Sequence, residues 1–293
     1  MELIRKPDWI KMRIPSGENY LRVKQTLGLQ QLHTVCEEAK CPNISECWDA
    51  GTATIMIMGD TCTRGCRFCA VNTGKPTFLD AGEPQRVAEA IKDWGLQYVV
   101  ITAVCRDDLA DGGAGHMAKT VQAIKGLSPK IIVEPLIPDY NGDKESLKKI
   151  TNSEPQVISH NIETVERLTP KVRDGRASYE QSLFVLKTIK NIDSKIYTKS
   201  SMMLGLGENK EEVLQTLKDL RAVGVDVVTM GQYLQPTIKH LPVVEYVPPK
   251  KFDEYKKEAE HMGFAYVVAG PFVRSSYKAS EPFIKNIIQL KTR

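Results

Sequence analysis

From residue 53 onward the chain alternates short apolar runs of β type with amphipathic helical stretches, and this alternation restricts the fold more than any other feature. The runs are ATIMIM (53–58), QYVVIT (97–102), KIIVEP (130–135), QVISH (156–160), KIYTKSSMM (195–203), VDVVTM (225–230) and FAYVVA (264–269). Between the first two, EPQRVAEAIKDW opens with Pro84 in a first-turn position and sets Val87, Ile91 and Trp94 on one helical face. SYEQSLFVLKTIKNI places Tyr179, Leu183, Leu186 and Ile189 at the same spacing, and a later stretch does so with Val213, Leu217 and Leu220. Six β-then-α units predict an α/β chain whose parallel sheet is covered by helices on its outer face. Right-handed crossovers curl such a sheet into a full or partial TIM-like barrel. A last helix is expected around 281–291, and the chain shows no internal repeat. Reactive groups of barrels sit on loops leaving the C-terminal ends of strands, so the loop after the first run, GDTCTRGCRFCAV (59–71), is in the place where chemistry is expected.

Bulk properties narrow the class. A chain of 293 residues can bury a substantial core. Lys plus Arg is 40 and Asp plus Glu is 36, and a net charge of +4 is too mild to argue for nucleic acid. No apolar run approaches the roughly 18 residues of a membrane span. The opening MELIRKPDWIKMRIPSGENY has no apolar signal core and carries acidic residues and prolines, so no export or organelle address is expected. The expectation is a chain without nucleic-acid or membrane partners.

Seven cysteines are too few for a disulfide scaffold, and six of them fall in two triplets. Cys36, Cys41 and Cys47 lie in CEEAKCPNISECW, and Cys62, Cys66 and Cys69 in GDTCTRGCRFCAV. Without a secretion signal, such clusters read as metal sites before disulfides. Cys105 stands alone and reads as a small buried hydrophobe at a strand end, redox-sensitive if exposed. CxxxCxxC is short, and a zinc knuckle missing a ligand or a chance match are the plain alternatives. Its context argues for more: Gly65 allows a tight wrap and Phe68 stands just before the last cysteine. Three thiolates on a [4Fe–4S] cube leave one iron without a protein ligand, and an open coordination position is where chemistry happens. Taken alone, the Cys36 triplet is equally well a structural zinc or iron–sulfur module.

The loop at 59–71 resembles that of the radical S-adenosylmethionine enzymes, a resemblance that implies a partial (β/α)6 TIM-like barrel. There the open iron is chelated by the methionyl amino and carboxylate groups, and reductive cleavage releases a 5′-deoxyadenosyl radical. RKPDW, PSGENY, CEEAKCPNISECW, RDDLADGGA, HNIETV, MLGLGE, GQYLQP, HLPV and GPFVRSSYKA extend the similarity, which is to the lipoyl synthase family, from residue 5 to about 279. The domain plan it implies is an N-terminal extension (1–50) with the auxiliary cysteines, a barrel (51–270) and a C-terminal extension (271–293) carrying RSSY.

That resemblance implies two [4Fe–4S] clusters, one on Cys62, Cys66 and Cys69 and an auxiliary one on Cys36, Cys41 and Cys47. The auxiliary fourth ligand is a serine oxygen of RSSY, carried onto Ser276 with Ser275 as the alternative. Oxygen is a harder donor than thiolate and a poorer match to iron–sulfur metal, so it is the ligand most easily lost if the cluster must open. The implied reaction removes hydrogen from C6 and then C8 of a protein-bound octanoyl chain. Sulfide from the auxiliary cluster is inserted at each position. Two S-adenosylmethionines are consumed, and another protein must rebuild the cluster.

The resemblance also places Phe68 near the adenine, Asp107 and Asp108 at the cosubstrate amino group, and Glu163 at the ribose or substrate. Helix capping or a solvated acidic turn is an equally simple reading of the two aspartates. The family carries aspartate where this chain has Cys105, and KSG where it has KSS. Arg274 either orients the loop bearing Ser276 or pairs with a surface carboxylate, and no histidine is taken as a ligand. The implied partners are an octanoylated carrier (glycine cleavage H protein or a lipoyl domain), an electron donor and a cluster-repair protein. A cytoplasmic monomer is expected. Other radical sulfur-inserting enzymes, such as a biotin synthase or an RNA methylthiotransferase, lack the RSSY tail. A two-cluster electron carrier of ferredoxin type would be small and saturate its irons with cysteine.

Overall fold

The structure, a computed structural model, describes residues 5–10, 18–49 and 53–276. The first segments are α1 (Glu18–Leu29), β1 (His33–Thr34), α2 (Val35–Glu38) and α3 (Ile44–Asp49). Next come β2 (Ile55–Ile57), the short pair β3 (Thr61–Cys62) and β4 (Asn72–Thr73), then α4 (Glu83–Trp94), β5 (Tyr98–Ala103) and α5 (Ala114–Leu127). The alternation continues with β6 (Ile132–Leu136), α6 (Lys144–Thr151), β7 (Val157–Ser159), α7 (Thr169–Val172) and α8 (Tyr179–Ile192). It ends with β8 (Tyr197–Leu204), α9 (Lys210–Ala222), β9 (Val227–Gln232), α10 (Pro249–His261) and β10 (Tyr266–Gly270).

The main sheet runs β1-β2-β5-β6-β7-β8-β9-β10, with every pair parallel except β1 against β2. The order begins at β1 and ends at β10, so among the described residues the barrel is open, as a partial (β/α)6 architecture requires. The periodicity of the sequence is realised in the packing. Val87, Ile91 and Trp94 are buried on α4, Tyr179, Leu186 and Ile189 on α8, and Val213, Leu217 and Leu220 on α9. Leu183 is partly buried against the same core. The antiparallel edge strand at 33–34 was not legible, because two residues carry no period. The run at 53–58 forms strand only over Ile55–Ile57, since Met58 leaves it with φ +70°. The helix expected at 281–291 lies outside the described residues. No helix among the described residues is long and apolar enough to cross a membrane.

The inner face of the sheet is different in kind from the outer. Tyr98, Val100, Ile132, Val157 and Tyr197 form a small apolar cluster there. Beside it lies a buried ion pair: Lys199 Nζ donates to both Glu134 oxygens at 2.8 and 3.2 Å. Tyr98 and Ser159 hydroxyls donate to the same carboxylate, so its lone pairs are met from three further strands. Lys199 is 2% and Glu134 1% exposed, which leaves water no part in compensating either charge. Lys199→Met, which strands the carboxylate, is expected to cost about 3–5 kcal/mol in chemical denaturation. Replacing Glu134 by Leu in the same chain should recover much of that loss, because no buried charge then remains unpaired.

Candidate active site

The loop carrying Cys62 begins with an enforced turn. Met58 and Gly59 both have positive φ, +70° and +90°, which directs the chain away from the sheet. Both oxygens of Glu83, in the first turn of α4, accept from Met58 N–H at 3.1 and 2.9 Å, and His116 Nε2 lies 2.6 Å from the same carboxylate. The loop is then bound from two sides. Asp174 accepts from Gly65 N–H at 2.8 Å, and Arg67 N–H donates to Val172 O at 2.9 Å. From the long connection after β9, His240 Nε2 approaches Cys69 O at 3.0 Å and Leu241 N–H donates to Arg67 O at 3.2 Å.

Beneath the loop Arg64 is buried and fully engaged. Its Nε and Nη2 fork onto Asp107 at 3.0 and 2.7 Å, Nη1 donates to Asp139 at 2.6 Å, and Nη2 also reaches Asn141 Oδ1 at 2.8 Å. Burial alone would raise the Asp107 carboxyl. The Arg64 and Thr63 hydrogen bonds outweigh it and bring the group down to about 2. Asp107 is therefore an ionised strut that holds the Cys62 loop to the end of β5. Asp108 is exposed and paired with Arg106 at 2.9 Å. The structure brings neither aspartate to the cavity described next.

The Cys36 triplet is shaped by short helices. Thr34 caps α2 by accepting from Glu37 N–H at 3.3 Å, Cys41 N–H returns to Cys36 O at 3.0 Å, and Cys47 N–H bonds Asn43 O at 2.9 Å. Asn43 Nδ2 donates to Phe272 O at 2.7 Å, tying this segment to residues 229 positions away. The 271–276 segment lies close on β9. A Cβ built at Gly231 would stand 1.9 Å from Val273 O, so only glycine admits that approach. Arg274, half-buried, donates from Nη1 to Val273 O at 2.6 Å and sits beside Cys41, whose thiol its charge draws down against the larger effect of burial.

All six triplet cysteines, Phe68, Glu163, Arg274, Ser275 and Ser276 line one cavity of about 580 Å³ inside the barrel mouth. Burial pushes the Cys36 thiol up to about 11 and those of Cys47 and Cys69 up to about 12, and raises Cys41 and Cys66. Cys62 goes the other way. The Cys105 thiol, then the N–H groups of Arg64 and Cys105 and the Arg64 charge, stabilise its thiolate, while Cys105 is pushed up by the same contact. Among the described residues no three His, Cys, Asp or Glu side chains converge on a single metal ion.

Further polar groups lie on the same wall. Glu163 adopts φ +68° in the loop after β7, a strained conformation for a non-glycine residue, and burial raises its carboxyl. Asn161 donates to it at 3.1 Å, yet Asn161 Oδ1 is buried with no partner in the structure, a polar atom that a ligand would satisfy. Asn161 lies two residues from Glu163 in HNIET, a proximity that was its one signal in the sequence. Asp139 and His240 had none, since no local pattern connects them to the loop they hold.

Known proteins resemble this chain in sequence and in fold. Residues 56–220 match the Radical SAM superfamily, and residues 1–41 match the N-terminal domain of lipoyl synthase of the Radical_SAM family. The chain is 56% identical over 286 residues to the apicoplast lipoyl synthase of Plasmodium vivax, covering 97% of this chain and 65% of that protein. It is 56% identical to the mitochondrial lipoyl synthases of Aedes aegypti, over 98% of this chain and 74% of that one, and of Lachancea thermotolerans, over 98% and 79%. The chain thus spans just under two thirds of the length of the Plasmodium vivax protein. Among solved structures it is similar in fold to a methylornithine synthase, with TM-score 0.54, 15% identity and 81% of both chains covered. SuiB of Streptococcus suis bound to S-adenosylmethionine gives TM-score 0.57 at 11% identity, over 78% of this chain and 53% of that one.

Two outcomes test this geometry. In cluster-free protein at pH 7, iodoacetamide should alkylate Cys62 before the other cysteines, read by peptide mass spectrometry, because alkylation follows the thiolate fraction. Gly231→Ala should lower stability by about 1–3 kcal/mol and speed proteolysis within 271–276, since the added methyl expels Val273 O.

Proposed function

The chain belongs to the lipoyl synthase family of the Radical SAM superfamily, and from that premise we propose that it inserts two sulfur atoms, at C6 and C8, into a protein-bound octanoyl chain. The observation that carries this reading is the convergence of both cysteine triplets and of residues 274–276 on one cavity. A cavity holding one triplet would serve radical generation alone. With both on its walls, a carbon radical formed at one site lies within the same cavity as the other.

In this reading Cys62, Cys66 and Cys69 hold the cluster that leaves an iron open, and Cys36, Cys41, Cys47 and Ser276 hold the auxiliary one. When bound, these groups supply the electron for reductive cleavage of S-adenosylmethionine and the sulfide that is transferred. The protein's own residues do the rest. Phe68 and Glu163 line the cosubstrate side of the cavity, with Asn161 Oδ1 as a further acceptor. Asp107 orients the cysteine loop through Arg64 in place of a direct contact. Arg274 brings positive charge beside Cys41 and sets the course of the chain into Ser275 and Ser276. The apolar inner face below, including Val100 and Leu136, suits an acyl chain.

The partners in this reading are an octanoylated carrier (the glycine cleavage H protein or a lipoyl domain), an electron donor and a cluster-repair protein, acting on a monomer. A reducing compartment is required, and the cytoplasm satisfies that requirement, although the relatives' names place them in the mitochondrion and the apicoplast.

The test is mass spectrometry of an octanoyl-lysyl carrier peptide after anaerobic incubation with reconstituted protein, S-adenosylmethionine and reductant. Two inserted sulfurs support the reading; 5′-deoxyadenosine with an unchanged acyl chain refutes the substrate. Ser276→Ala should keep S-adenosylmethionine cleavage while sulfur insertion falls by about tenfold or more.

A further inference from the structure

The interior of the barrel is closed part-way down. Val100 on β5 pairs in register with Glu134 on β6, and Ser159 on β7 with Lys199 on β8. The Glu134 carboxylate accepts from Lys199 Nζ and from the Tyr98 and Ser159 hydroxyls, so one hydrogen-bonded plate crosses the interior from β5 to β8. Glu134, Ser159 and Lys199 are at most 2% exposed, and none of them lines the cavity. Leu96, Tyr98 and Val100, at alternate positions along β5 and its approach, do line it. The Cys36 segment reaches the same depth. Val35 N–H donates to Thr54 O at 3.2 Å, and Thr54 precedes Ile55, the partner of Ile101, so Thr54 stands level with Val100.

Methylene groups are alike, and burial against apolar walls is non-directional, so walls alone give an acyl chain no register. Which carbon stands beside the sulfurs must be set from an end. The carbonyl end is tied to a carrier outside, which leaves the methyl end to be stopped inside. A stop works only if it does not yield. Tyr98 is held at its hydroxyl by a carboxylate that Lys199 pairs, and its backbone lies in the sheet beside β6. We propose that Tyr98, with Val100, is a specificity-determining stop: the methyl end of the unreacted acyl chain rests on it, and the barrel thereby accepts eight carbons in preference to longer chains. Measured from such a stop, C6 is always two carbons up. Once C6 carries sulfur, that bond rather than the floor fixes the chain. This rests on the reading that the cavity takes a protein-bound acyl chain.

The test is equilibrium binding of carrier peptides whose lysine bears a six-, eight-, ten- or twelve-carbon acyl chain, read by fluorescence anisotropy. The reconstituted full chain is used with S-adenosylmethionine and without reductant, so that no acyl chain is consumed. Up to eight carbons, each added methylene should tighten binding about fourfold, as burial of a CH₂ group does. The ten-carbon peptide should then bind about tenfold or more weakly than the eight-carbon one. Y98L, which shortens the side chain at the floor, should move that break to ten carbons or beyond, whereas Y98F keeps the ring and the break. If Y98L does not fold, V100A opens the floor without touching the plate and carries the same comparison. Affinity that climbs through twelve carbons in the wild-type chain overturns the proposal, as does a break that stays at eight in the opened variant. Mass spectrometry of the same peptides after adding reductant separates the two readings. A break at eight without inserted sulfur supports the stop and refutes the activity, and inserted sulfur without a break does the reverse. Peptides that bind at no length overturn both.

Discussion

The buried guanidinium of Arg64 is the interaction on which the rest of the site depends. It stands under the cysteine loop and binds Asp107 after β5, and Asp139 and Asn141 after β6, through short hydrogen bonds. A loop that leaves β2 through two residues of positive φ has only the two-residue β3–β4 ladder of its own to stiffen it. Fixed to two neighbouring strand ends by a charged fork, it keeps one course, and the cysteines keep their separation. The arrangement is stable only as a whole: a buried cation with one carboxylate removed would be left partly uncompensated. Asp174, His240 and Glu83 add neutral and charged hydrogen bonds at the edges of the same loop.

The second structural theme is the meeting of distant chain segments over the open side of the sheet. β1 pairs antiparallel with β2 at one edge, and β10 forms the other. The Asn43–Phe272 hydrogen bond and the close contact of Gly231 with Val273 bring the Cys36 segment and residues 271–276 onto the same cavity. In the proposed function this is where a serine from one segment completes the cysteines of another. A ligand set divided in this way can lose its oxygen donor without disturbing the three sulfurs.

The sulfurs themselves are held in two states. Burial keeps Cys36, Cys47 and Cys69 strongly protonated in the free protein, whereas Cys62 is drawn toward the thiolate by donors aimed at it. In the proposed function, iron binding would then expel protons from the buried thiols and tighten as pH rises. In the proposed function Cys62 is the sulfur already arranged to receive iron, and its N–H donors come from the loop and from the chain after β5 alike.

By itself, the sequence determined the succession of β and α units and the buried faces of the helices. These follow from periods of a few residues, as with Val87, Ile91 and Trp94 on α4. It also determined the two cysteine triplets, whose spacing is local, and it carried the motifs of the family. Only the tertiary structure decided which polar groups reach the cavity. Asp107 and Asp108 look alike in the sequence, yet Arg64 and Arg106 take them away from it, while Asn161, with its unpartnered Oδ1, is among the residues that line it. The Arg64–Asp139 contact joins residues 75 positions apart and the Asn43–Phe272 contact residues 229 apart. Hydrogen bonds of that kind leave no period in a sequence, because each is created by two segments that meet only once the barrel has closed around its core.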